Sequence, residues 1–202
     1  MQNISSILRR ELKFRISVKK GGEKVVDFYK SDVGAQAAWK GFSSQTLYIA
    51  SRLISDEGGY EYYPEDIEDL VVKKNGAIVE AVQVKNISAD LTLSSLAATK
   101  TSKGGEGFFN RMCSLHAQNP FFHRIKVVYF NTLGVELQEM QSGKAVTQKA
   151  LTKRLVDKHG LSESEAVWLI DSLCFEKVNL DDLDLNIQTQ ISDYVPVMSA
   201  PA

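Results

Sequence analysis

The sequence predicts an α/β domain in which helices flank a mixed central sheet, with a helical C-terminal part. Three observations point there. A β-branched segment, Leu70 to Val72, is followed by Lys73-Lys74-Asn75-Gly76 and a second extended segment, Ala77 to Lys85. Asn-Gly accepts positive φ at both positions, so this is a two-residue hairpin signal. Ile125 to Phe130 is a continuous apolar run, short enough for a buried central strand. Helical patterns lie before and after both segments, an order that places helices against a sheet.

Taken along the chain, residues 1–40 carry a basic start (Arg9, Arg10, Lys13, Arg15) with no strong period, and are expected to form an N-terminal arm. A helix is expected from Gly41. Phe42, Gln45, Ile49 and Leu53 share one stripe by their spacing, and Gly58-Gly59 closes it. Residues 86–106 read as helix or loop, with Gly104, Gly105 and Gly107 in a flexible stretch. Phe108, Met112 and Leu115 define one side of a helix over 108–118. The last third reads as helical: Ala145 to His159 ending at Gly160, a capping box at Ser162-Glu163-Ser164-Glu165 opening a helix through Leu173, and a further helix from Asp181 to Tyr194. Residues 41–195 form the expected domain, and 196–202 read as the start of a linker to a further region.

The chain has 202 residues, 44% apolar and 24% charged, with a net charge of −1. Such a chain builds its own core without disulfides or structural metal. Its near-neutral balance excludes a purely electrostatic polyanion binder but permits a local basic cleft. Cys113 and Cys174 form no CxxC pair and suit a reducing compartment as buried thiols; with no signal peptide or membrane-length apolar run, a cytoplasmic location is expected. His116, His123 and His159 lack zinc-ligand spacing, and His159 reads as a favourable charge at a helix C-terminus. Neither Gly104-Gly105-Glu106-Gly107 nor Ser142-Gly143-Lys144-Ala145 satisfies a P-loop.

The chemistry concentrates on the hairpin. On an extended Ala77 to Lys85, Ala81, Gln83 and Lys85 share one face, and Val82 and Val84 point to the other. A lysine on a core-type strand is costly unless it is paired or the face opens into a cleft. Asp69, at the start of the neighbouring antiparallel strand, would lie close across the pair. A carboxylate, an amide oxygen and an ammonium then converge, a set suited to Mg²⁺ and phosphodiester hydrolysis. Gln45, an amide on an apolar stripe, reads equally as a buried structural group or as a site residue.

Asp69, the hairpin and Gln83-Val84-Lys85 resemble the PD-(D/E)xK restriction-endonuclease-like superfamily, in its branch with glutamine at the second acidic position. Gly41-Phe42-Ser43-Ser44-Gln45 resembles that branch's glycine-aromatic-x-x-Gln helix start, and Glu65 to Asp69 its acidic lead. That branch supplies nuclease effector domains of bacterial anti-phage proteins, of the cyclic-oligonucleotide-gated (CBASS) type and at the N-termini of STAND NTPases. The resemblance implies a Mg²⁺-dependent (or Mn²⁺-dependent) DNA endonuclease. Asp69 and Gln83 would be metal ligands and Lys85 the catalytic lysine, with Gln45 orienting or ligating from its helix. Glu65 or Asp66 would be an additional ligand, and Asp66 could take the place of Asp69. The implied partners are double-stranded DNA and further copies of the chain. Lys73, Lys74, Lys100, Lys103 and Arg111 are candidate phosphate contacts. Gln83 departs from the commonest acidic form: an amide holds Mg²⁺ more weakly, which leaves room for an inactive nucleic-acid-binding or oligomerisation module.

Overall fold

The computed structural model describes residues 28–56, 58–64, 66–98 and 106–194. A five-stranded sheet has the order β1 (Glu61–Pro64), β2 (Leu70–Lys74), β3 (Ala77–Lys85), β4 (Arg124–Tyr129), β5 (Leu173–Lys177). The first three strands pair antiparallel and the last three parallel, so the sheet is mixed as expected. Seven helices accompany it among the described residues: α1 (Phe28–Ile54), α2 (Leu93–Ala97), α3 (Phe108–Gln118), α4 (Val135–Gln141), α5 (Ala145–His159), α6 (Glu163–Ser172) and α7 (Leu180–Tyr194). Parallel pairing needs crossovers; α2 and α3 serve between β3 and β4, and α4 to α6 between β4 and β5. Helices α2 to α6 pack on one face of the sheet, through Leu96, Phe108, Met112, Leu137, Leu155 and Leu169 against Val71, Ala81, Ile125 and Val127. The other face carries α1 and α7, through Tyr48, Ile49 and Leu183 against Leu70, Val82, Val84 and Val128.

The hairpin forms where its sequence places it. Asn75 and Gly76 take φ of 52° and 76°, the two positive values that let a two-residue turn follow the strand twist. Lys73 pairs with Ile78 and Val72 with Glu80, leaving Val79 as an extra residue. This bulge sits near the turn, so the alternation is undisturbed from Ala81 to Lys85 and Val82 and Val84 face away from Ala81, as expected.

Three expectations are corrected. Helix α1 is already formed at Phe28 and runs through Gly41 to Ile54, so Gly41 does not start it, and it ends four residues before Gly58. Its buried side is also turned: Ser44, Tyr48 and Ser51 are buried beside Ile49, while Phe42 and Leu53 are 56% and 50% exposed. The sheet face beneath is charged, which favours polar groups there. Buried Glu80 meets Arg52 at 3.0 Å, Arg124 at 3.7 Å and Lys126 at 4.0 Å; Lys126 also pairs with Glu176 at 2.9 Å, and the Tyr48 hydroxyl donates to Glu176 at 3.2 Å. The last third is not all helical: α6 passes at Leu173 directly into β5, whose strand character comes from parallel pairing with β4. His159 lies in the last turn of α5 before Gly160, as expected; burial, Arg154 and Lys158 lower its pKa, and its ring stands edge-on to Phe109.

Of the N-terminal arm expected over 1–40, residues 1–27 lie outside the described residues, as does the linker expected over 196–202. Cys113 and Cys174 are free thiols, the first buried and the second only half-buried. No described helix is long and apolar enough to cross a membrane.

Beyond the strands' carboxyl ends, the loop after β4 is bonded to the loop after β3. Leu91 N–H donates to the Thr132 carbonyl and Gly134 N–H to the Leu91 carbonyl, both at 2.8 Å. A Cβ on Gly134 would lie 3.0 Å from the Leu91 carbonyl oxygen and 3.3 Å from Thr92 Cγ2. Backbone cannot swing aside as a long side chain does, so Gly134→Ala is expected to cost about 1–3 kcal/mol. A urea denaturation midpoint equal to that of the parent would contradict this packing.

Candidate active site

The register puts the expected residues together. Leu70 pairs with Val82, so one step further Asp69 stands opposite Gln83, on the sheet face shared by Val71 and Ala81. The Gln83 amide N–H₂ donates to Asp69 Oδ2, and the Val84 backbone N–H donates to the same oxygen at 2.6 Å. Gln83 is 5% exposed, so its amide is a buried polar group that needs this partner. Lys85 follows on the same face, half-buried. Burial lowers its pKa most, and Arg111 lowers it further, while Asp69 and Glu68 act to raise it; the net direction is down.

Glu68 and Arg111 complete the cluster. The Arg111 guanidinium grips Glu68 Oε1 through Nε and a terminal nitrogen, each at 2.7 Å, and donates to the Glu106 carbonyl at 2.7 Å. The two residues are 6% and 8% exposed. Burial pushes the Glu68 carboxyl up to about 7, against the opposing pull of Arg111. A paired carboxylate immediately before Asp69 was not singled out from sequence. Its signal lay only in the acidic run ending at Asp69, and its partner comes from α3, 43 residues on.

Of the remaining expected site residues, Lys73, Lys74 and Asp66 lie away from this corner. Arg111 is not the exposed cation a phosphate contact requires, because it is buried on Glu68. Lys73 and Lys74 sit at the turn end of the hairpin, over the rings of Tyr63 at 4.1 Å and Tyr60 at 5.2 Å. At about 3.3 Å per residue they are roughly 15 Å along β2 from Asp69. Asp66 is exposed, and its charge acts on Tyr63, not on Lys85. Gln45 lies on helix α1, which packs on the opposite face of the sheet and reaches the strand end beside it: the hydroxyl of Ser44 accepts from the Asn86 amide. Glu65, Lys100 and Lys103 lie outside the described residues.

Chemically, this is an oxygen-rich and cationic corner on a mixed α/β sheet: one anchored carboxylate, one amide and one desolvated ammonium. Among the described residues no three His, Cys, Asp or Glu side chains gather as a metal cage. The residues suit a hard cation that keeps waters and takes further oxygens from a phosphate, the habit of Mg²⁺. Presenting Gln83 Oε1 to such an ion requires the amide to turn over, since its nitrogen now faces Asp69.

The fold class and site stand beside three comparisons. No family model matches the chain, and no curated protein does. Among solved structures, the chain is similar to a Cap4 SAVED/CARF-domain containing receptor of Moraxella osloensis, with 19% identity, a TM-score of 0.45, and 76% of this chain and 37% of that one covered. The Acinetobacter baumannii Cap4 receptor is similar in its complex with the cyclic trinucleotide 3'3'3'-cAAA, at 15% identity and a TM-score of 0.49, over 78% of this chain and 36% of that one. Its complex with 2'3'3'-cAAA gives 14%, 0.39, 88% and 38%. The chain thus spans little more than a third of those receptors' length.

The buried pair yields a stability prediction. Removing one member of a buried ion pair costs about 3–5 kcal/mol, so Arg111→Leu should destabilise by that order. The sign with pH follows from Glu68. Its folded pKa exceeds the unfolded value, so the native state holds the extra proton and stability falls as pH rises from about 4.5 to 7. Without Arg111 the folded pKa rises further, and the deficit of Arg111→Leu should grow as pH increases above 7. Denaturation midpoints for parent and variant at acid and alkaline pH would show it; a deficit independent of pH would contradict the pairing.

Proposed function

We propose that this chain is a metal-dependent DNA endonuclease domain, one module of a larger anti-phage protein that degrades double-stranded DNA on activation. The observation that carries the reading is the convergence of Asp69, Gln83 and Lys85 from two paired strands. Asp69 and a turned Gln83 would hold Mg²⁺ or Mn²⁺, with substrate phosphate and water completing its shell. A bound divalent ion supplies Lewis-acid polarisation of the phosphodiester and acidification of a water. Val84 N–H orients the carboxylate. Lys85 holds or moves a proton beside the phosphate and offsets charge developing on its oxygens. The lowered pKa supports this role, because a desolvated ammonium yields its proton more readily than an exposed one.

A specific observation favours a second reading, a silent nucleic-acid-binding module: the Gln83 side chain turns its amide nitrogen, a donor that cannot ligate a cation, toward Asp69. Plasmid DNA separates the two. With Mg²⁺, the protein at high concentration should nick or cut plasmid, and chelation should abolish the activity. Lys85→Ala and Asp69→Asn should each lower the rate about a hundredfold or more. Equal cleavage by all three proteins would remove the assigned residues, and no cleavage by any would favour the silent module.

A further inference from the structure

Beyond the triad, the register of the parallel strands organises a second group. Lys85 pairs with Tyr129 on β4, and Tyr129 with Lys177 on β5. Matched positions on neighbouring parallel strands present side chains to the same face. Lys85, Tyr129 and Lys177 therefore form one row across the carboxyl ends of β3, β4 and β5, leading away from Asp69. At about 4.8 Å between strands, Lys177 stands roughly 10 Å from Lys85 along the row. Open α/β sheets take their ligands in the crevice beyond these strand ends.

Tyr129 and Lys177 also line a cleft of about 380 Å³, with Thr132, Gln138, Gln141 and Ser142 among its walls. That volume lies within the range of small-ligand sites. The walls are held in place. Gln141 Nε2 donates to the Phe175 carbonyl at 3.2 Å, and Gln138 donates to the Leu133 carbonyl. Val178 N–H donates to the Tyr129 carbonyl at 2.9 Å. The loop carrying Thr132 is bonded to Leu91 and closed by Gly134. With those donors committed, both glutamines keep side-chain carbonyl oxygens as acceptors. The lining thus combines an aromatic ring, an exposed ammonium and amide acceptors within one row of the proposed catalytic lysine.

We infer that this cleft is the subsite for the backbone of the nucleotide adjoining the scissile phosphate, with its sugar against the Tyr129 ring and its phosphate on Lys177. An aromatic face packs against any deoxyribose, and a lysine takes a phosphate as a point charge, so the subsite tracks the strand without reading sequence. The inference rests on the nuclease reading above but concerns a different set of residues.

The test measures binding of a short fluorescein-labelled DNA duplex in Mg²⁺, in a Lys85→Ala background where the proposed chemistry is silenced. Tyr129→Ala and Lys177→Ala should each weaken binding at least about fivefold. Lys177→Ala should also reduce the slope of log affinity against log salt by about one. Tyr129→Phe keeps the ring and should bind like the parent, as should Lys153→Ala, which removes an exposed lysine on α5. Parental affinity and salt slope in both cleft variants would overturn the subsite, as would no binding by the parent. If plasmid is cut normally but the cleft variants bind unchanged, the subsite alone fails. If the cleft variants weaken binding while the protein with Lys85 intact cuts nothing, hydrolysis fails and the cleft remains a DNA contact.

Discussion

A single carboxylate oxygen organises this molecule's site: Asp69 Oδ2, which takes one hydrogen bond from the Val84 backbone and one from the Gln83 amide. The first extends the β2–β3 pairing one residue past the last paired position; the second satisfies a buried amide. Charge-assisted bonds of this kind are stronger than neutral ones. They hold the end of β2 against β3 at the point where Lys85 is about to leave the sheet. The geometry of the ammonium, and of everything beyond it on the strand ends, depends on that anchor.

Around the anchor, charges are arranged so that each buried one has an opposite neighbour. Arg111 reaches from α3 to hold Glu68, and the negative charges of Asp69 and Glu68 favour the charged form of Lys85. A buried charge without such company would discharge or destabilise the fold. The pairing leaves two groups with displaced affinities for protons, Glu68 upward and Lys85 downward. Groups so perturbed beside a strand-end crevice are a feature of reactive sites, though structural ion pairs produce it too. On the other face, Glu80, Arg52, Lys126 and Glu176 form a separate network under α1, consistent with a structural role there.

The division of the sheet into antiparallel and parallel halves has a functional consequence. The antiparallel half brings Asp69 to Gln83 through local pairing. The parallel half lines up Lys85, Tyr129 and Lys177 from strands separated by long crossovers. Chemistry and substrate tracking would then be built by different kinds of connection, joined at one residue, Lys85.

Much was legible in the residues themselves. Asn75-Gly76 tolerates the two positive φ angles that a two-residue hairpin turn needs, and alternation along β3 then dictates that Gln83 and Lys85 share a face. The helix N-terminus at Ser162 was equally plain, because capping is local chemistry. The tertiary structure alone decided the rest. Which side of α1 is buried followed from the charged sheet face it meets, not from its own apolar stripe. Leu173 to Lys177 became a strand because β4 offered it unpaired backbone groups. Arg111, a candidate phosphate contact by sequence, was drawn inside by Glu68. Short-range torsional and hydrogen-bonding preferences are written into neighbouring residues, whereas burial and ion pairing depend on groups that only folding brings within reach.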